Sequence, residues 1–153
     1  MKTLLMAIDP LSPPSRSLTR LTLEEASARD ASVVILCCIP IEGSVGGEVM
    51  NIDCAIDESL QQVTSPQDSL NCAESAVRTA LIPFQQAGIS ARGLLCRGEP
   101  ADTIVEQSLK LSASMIIMGR RHLTPFNRLF KGSVSAAVLE TASCPVLIDI
   151  DKE

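Results

Sequence analysis

The sequence predicts an α/β domain: a five-stranded parallel sheet with helices on both faces. Three observations carry that prediction. Short apolar runs alternate along the chain with longer stretches of helical period, and strands separated by helices pair in parallel through right-handed crossovers. One run, residues 33–39, is almost wholly apolar and rich in β-branched side chains, as suits a strand covered on both faces. With 153 residues, 46% hydrophobic and 20% charged, the chain fits one domain, large enough to bury about 70% of its unfolded surface.

Residues 4–8 form the first candidate strand. Pro13 and Pro14 sit where a helix begins, because a proline in the first turn loses no needed N–H. Leu18, Leu21 and Ala26 are expected to face inward from it, with Leu23 off the stripe. The second strand is 33–39. Residues 69–87 repeat Leu70, Ala73, Val77, Ala80, Leu81 and Phe84 at helical spacing, and Pro83 predicts a kink or break near 79–82. A third strand follows at 89–96. Pro100, with Asp102 in the first turn, starts a helix whose expected inner face is Ile104, Val105 and Leu109. A strand at 115–118, a helix at 133–141 and a strand at 145–150 complete the series.

Residues 42–65 break the rhythm. Gly43, Gly46 and Gly47 open the segment, and Glu42, Glu48, Asp53, Asp57 and Glu58 stand in it without a base. Long loops in compact domains are functional or mobile. A lid over a crevice and a solvated insertion are both open; the second is favoured, because an acidic lid repels a phosphate tail. A short helix around 55–62 is compatible with the pattern.

Composition excludes several classes. A net charge of -5, three Phe and no Tyr or Trp argue against a nucleic-acid face, which combines basic and stacking groups. The run 4–8 is too short for a signal-peptide core or a membrane span, so a cytoplasmic location is expected. The six cysteines show no Cys-x2-Cys pair, and the chain has one His; no zinc site is predicted. They read as reduced thiols acting as small apolar residues. Cys37 and Cys38, as neighbours in a strand, point to opposite faces. Cys54, in a predicted loop, is the candidate for reactivity.

The densest chemistry lies between residues 114 and 135. The apolar strand ends in Gly119, a loop with Arg120, Arg121, Arg128 and Lys131 and no acid follows, and Gly132-Ser133 opens the next helix. Unpaired N–H groups at a helix start favour an anion, and glycine lets ligand oxygens reach the main chain. Ser133 and Ser135 add hydroxyl donors. A phosphate cradle is the favoured reading, with a merely solvated basic loop as the alternative. Asp9, Ile39 and Gly119 each end a predicted strand, where ligands bind in such sheets.

The same stretch resembles the nucleotide-binding branch of the universal stress protein family, whose pattern is G-x2-G-x9-G-[ST]. Here it reads Gly119-x2-His122-x9-Gly132-Ser133: the spacing is kept and the middle glycine is replaced. Residues 1–9 resemble the family's first strand with its terminal aspartate. Residues 33–40 resemble its second strand, 98–104 its Gly-x-Pro helix start, and 144–148 its last strand. The similarity spans nearly the whole chain, least so at 42–65. Two departures stand beside His122. Pro10-Leu11 replaces a small pair after Asp9, and Ser114 stands where the family often has Asp.

The resemblance implies a single Rossmann-like domain of the adenine nucleotide alpha hydrolase-like kind, with strand order 3-2-1-4-5. It also implies an adenine nucleotide, ATP or AMP, with or without Mg. Asp9 matches an aspartate near base and ribose, Ile39 an aliphatic residue of the adenine slot, and Met118 the residue before the first phosphate glycine. Gly119, His122, Gly132, Ser133 and Ser135 fall on the phosphate motif. Capping of the next turn is the alternative for Asp9, and core filling for Met118. Three arrangements stand for His122. Its N–H serves as glycine's would, at roughly 1–2 kcal/mol if the backbone is left-handed; its ring fills the space of the terminal phosphates; or its imidazole donates to a phosphate.

The family resemblance further implies a homodimer through the C-terminal strand, no membrane contact and a regulatory or stress-response role. A nucleotide-free homodimeric regulator is the alternative. A slow ATPase is disfavoured, because no nucleophile, base pair or metal cluster is legible.

Overall fold

The computed structural model describes residues 1–10, 13–39, 49–52, 68–119 and 134–150, without the side chains of 49–52 and 68–70. In chain order the elements are β1 (Lys2–Ile8), α1 (Arg16–Arg29), β2 (Ala31–Ile39), β3 (Val49–Ile52), α2 (Asp68–Gln86) and β4 (Ala91–Arg97). They continue with α3 (Pro100–Lys110), β5 (Met115–Gly119), α4 (Val134–Thr141) and β6 (Val146–Asp149). The sheet runs β3-β4-β2-β1-β5-β6. Leaving out β3, its five parallel strands stand in the expected order, 3-2-1-4-5.

β3 is the addition. It lies inside the acidic segment 42–65, read from the sequence as a loop, and pairs antiparallel with β4, Val49 opposite Cys96 and Ile52 opposite Gly93. The helix considered at 55–62, and Cys54, lie outside the described residues.

Period-two alternation in the buried strands divides the core in two. Leu4, Met6, Ile8, Ile35, Cys37 and Ile39 pack with Leu18, Ala26, Val77, Leu81 and Phe84 under α1 and α2. Leu5, Ala7, Leu36, Cys38, Cys96 and Met118 pack with Ile104 and Val138 under α3 and α4. Both faces of the parallel sheet are therefore covered, and Cys37 and Cys38 face opposite sides as expected. No helix among the described residues is long and apolar enough to cross a membrane.

Local chemistry explains where the elements depart from expectation. α1 starts after Pro13-Pro14, because Ser15 is the cap: its Oγ accepts from the Leu18 N–H at 3.0 Å. The buried stripe is Leu18, Thr22 and Ala26 rather than Leu21, which packs at the margin. Thr22 tolerates burial because its hydroxyl donates to the Leu18 carbonyl at 2.8 Å. α2 does not break at 79–82 but runs past Pro83 to Gln86. A proline this near the helix end forfeits little, and buried Leu81 and Phe84 hold the last turn on the core. That turn closes at Gly88 (φ +72°), whose N–H bonds the Gln85 carbonyl while Ile89 N–H bonds that of Phe84. On α3, Ile104 is buried and Val105 half-buried, but Leu109 points out, 59% exposed. Thr103, Gln107 and Ser108 take the inner positions instead.

Candidate functional site

Parallel strands bring their carboxyl ends to one edge, and the site can be assembled from what stands there. β1 ends at Ile8 and is followed by Asp9, half-buried. β2 ends at Ile39, whose carbonyl accepts the Gly98 N–H at 3.1 Å, tying it to the end of β4. Gly98 is at φ +152°, and a Cβ there would meet Thr103 Oγ1 at 2.8 Å, so this turn into α3 needs glycine. β5 ends at Gly119, half-exposed, and β6 at Asp149.

The chain runs outward from β1 to β2 and β4, then returns to the other side of β1 as β5 and β6. The order reversal thus falls between β1 and β5, paired from Leu4 with Met115 to Ala7 with Met118. Sheets of this kind open for ligands at that point. Asp9 and Gly119 flank it.

The remaining predicted residues fall into three groups. Ile39 packs on the α1/α2 side of the sheet and Met118 on the α3/α4 side, so their side chains do not share one wall. Met118 is 0% exposed and its side chain fills the core. Ser135, in the first turn of α4, is buried at 7% exposure. His122, Gly132 and Ser133, with Arg120, Arg121, Arg128 and Lys131, lie outside the described residues.

Electrostatics at this edge are set by burial. The Cys37 thiol is pushed far up, first by desolvation and then by neighbouring Cys38 and the Asp9 carboxyl. Cys38 is pushed up to about 12 and Cys96 to about 11, in both cases chiefly by desolvation. All three are neutral, unreactive thiols at physiological pH. Among the described residues no group of three or more His, Cys, Asp or Glu side chains is placed to hold a metal.

Sequence reasoning missed one constellation here. Ser17 Oγ donates to Asp149 Oδ1 at 3.0 Å and Ser15 Oγ to Oδ2 at 3.2 Å, joining the start of α1 to the end of β6. Asp149 is also the register partner of Gly119. The signal was a carboxylate closing an apolar run. Ser114, the departure before β5, donates from both N–H and hydroxyl to the Thr3 carbonyl, at 2.8 and 3.2 Å.

Comparison with known proteins agrees with this layout. The family model described as "Universal stress protein family" matches residues 1–149. The chain belongs to the universal stress protein family. Universal stress protein YxiE of Bacillus subtilis is 31% identical over 93 residues, 61% of this chain; the chain spans 59% of that relative's length. A universal stress protein from Archaeoglobus fulgidus, solved in complex with dAMP, superposes with a TM-score of 0.67 at 21% identity, over 97% of each chain. Another family member, solved in complex with cAMP, gives a TM-score of 0.68 at 21% identity, over 99% of this chain and 98% of that one. At such identities these two likenesses establish the fold.

Proposed function

We propose that this universal stress protein binds an adenine nucleotide, AMP or ATP, between the carboxyl ends of β1 and β5, and acts in the cytoplasm as a two-fold dimer in a stress-response or regulatory role. The observation that carries the reading is the position of the order reversal, flanked by Asp9 and Gly119. A carboxylate there accepts from a ribose hydroxyl or an adenine amine. A glycine there lets a phosphate approach the main chain, and the basic run 120–131 leading to Gly132-Ser133 supplies attraction. The relatives solved with dAMP and cAMP support an adenine-containing ligand. A magnesium ion is optional in this reading; it would neutralise a longer phosphate tail.

Dimerisation is supported by β6. It pairs with β5 on one side, all four of its residues are partly exposed, and Ile150 beyond it is 67% exposed. Open strand edges invite pairing. The second reading, a nucleotide-free dimer, is favoured by one observation: His122 stands where the motif has glycine.

A spectrum separates the two. With no Trp or Tyr the pure protein absorbs weakly at 280 nm, so co-purified adenine dominates near 260 nm. The expected result is a nucleotide-like spectrum, or a melting temperature raised by added AMP or ATP. A flat spectrum with no melting shift at millimolar nucleotide overturns the proposal. Gly132→Asp is expected to abolish binding by setting a carboxylate against the phosphate path; unchanged affinity would move the site elsewhere.

A further inference from the structure

Three neighbouring strands bear on how many phosphates the crevice accepts. β1, β5 and β6 lie side by side, and their carboxyl ends carry Asp9, Gly119 and Asp149. Gly119 and Asp149 are register partners, which sets their backbones about 4.8 Å apart. A phosphate seated on the Gly119 amide would therefore have a carboxylate on the strand to either side.

Asp149 is anchored. Ser17 bonds one of its oxygens at 3.0 Å and Ser15 the other at 3.2 Å, while Ser15 Oγ also accepts from the Leu18 N–H. These bonds fix the carboxylate at the carboxyl edge. The step from Asp9 to Ser15, carrying Pro10, Pro13 and Pro14, starts at the end of β1 and finishes against β6, with β5 between them.

We propose that Asp149, together with Asp9, sets the charge of the ligand, so that the crevice takes adenine nucleotides with a single phosphate group in preference to the triphosphate. This rests on the nucleotide reading given above. The basic run attracts any phosphate; the flanking carboxylates decide how much further charge is tolerated. ATP carries about two more negative charges than AMP near neutral pH, and repulsion between like charges grows where water is partly excluded. Asp149→Asn keeps an acceptor oxygen for a serine and shifts the local field by one unit of positive charge, whatever else the carboxylate meets.

The test is calorimetric titration of the full chain with AMP and with ATP, each without metal, at low and high salt. Wild type is expected to bind AMP at least tenfold more tightly than ATP at low salt, and the margin should narrow as salt rises. Asp149→Asn should cut the margin about tenfold, mainly by improving ATP. Ser15→Ala with Ser17→Ala, which frees the carboxylate without removing its charge, should cut it less. A margin that Asp149→Asn leaves within twofold of wild type overturns the proposal while the nucleotide site stands. If neither nucleotide binds wild type at millimolar concentration, the site reading itself fails and takes this proposal with it. Should Asp149→Asn not fold, the wild-type salt series decides alone: a preference unmoved by salt is not a charge effect, and the proposal falls.

Discussion

β2 and β6 are both apolar strands of the same parallel sheet, yet they occupy opposite physical situations. β2 has a strand on either side and helices over both faces, and eight of its nine residues are buried. β6 pairs with β5, and all four of its residues stay partly exposed. In the centre nearly every side chain answers to burial. At the edge a residue such as Asp149 can be retained for its charge, because its carboxylate finds two serine hydroxyls instead of hydrocarbon.

The largest effect should come from cavities. Ile35, fully buried at the middle of β2, is expected to cost about 2–5 kcal/mol on truncation to alanine, measured by urea unfolding. Leu147→Ala in β6, where the side chain is only partly buried against the same core, should cost about half as much or less. Equal losses would break the distinction between centre and edge.

Alkaline titration probes the same contrast through charge. Cys37, Cys38 and Cys96 are held neutral by burial, with pKa values raised above the ordinary 9.0. Above about pH 9 the unfolded chain releases these protons while the folded chain retains them. Unfolded molecules then bind fewer protons, and stability falls as pH rises. Below pH 8 these thiols contribute no slope. Between pH 9 and 11 each should cost roughly 1 kcal/mol per pH unit, read from urea midpoints. Cys144, just before β6 and half-buried, is raised too. Its removal should change the slope less than Cys37→Ala does. An alkaline slope left undiminished by replacement of all three buried thiols would refute this account.

How much of this was legible follows from how local each signal is. The parallel strands were readable because short uninterrupted apolar runs rich in β-branched residues, such as 33–39, suit a doubly covered strand. Thr22 hid the stripe of α1: a hydroxyl bonded to its own helix counts as polar in sequence and as core in space. Pro83 carried a local warning that packing of Leu81 and Phe84 overrode. β3 was illegible because four residues in an acidic stretch acquire strand geometry from β4, far along the chain. At the site, Asp9 and Gly119 were legible as strand ends. Ser15 and Ser17 were not, since their partner lies more than 130 residues away.

That long-range contact predicts a smaller, separable effect. Ser15→Ala removes the cap on the Leu18 N–H and one of the hydroxyls on Asp149. Cap losses cost about 1 kcal/mol. Ser17→Ala, which leaves the cap intact, should cost less than that. A cost for Ser15→Ala no larger than for Ser17→Ala would show that the Asp149 contact, not the cap, carries Ser15's contribution.

The least costly substitution for the folded monomer should be the most telling about assembly. Ile150 follows β6 and is 67% exposed, so Ile150→Lys removes little buried surface and should shift stability by no more than about 0.5 kcal/mol. If β6 pairs with its copy across a two-fold axis, however, each change is met twice, and two lysines brought near the same axis repel. Light scattering at micromolar concentration is then expected to give twice the chain mass for the wild type and a mass approaching that of one chain for Ile150→Lys. A wild type that scatters as a monomer removes the dimer from the reading. A variant that stays dimeric places the contact elsewhere than this end of the edge, leaving the centre of the sheet untouched in either case.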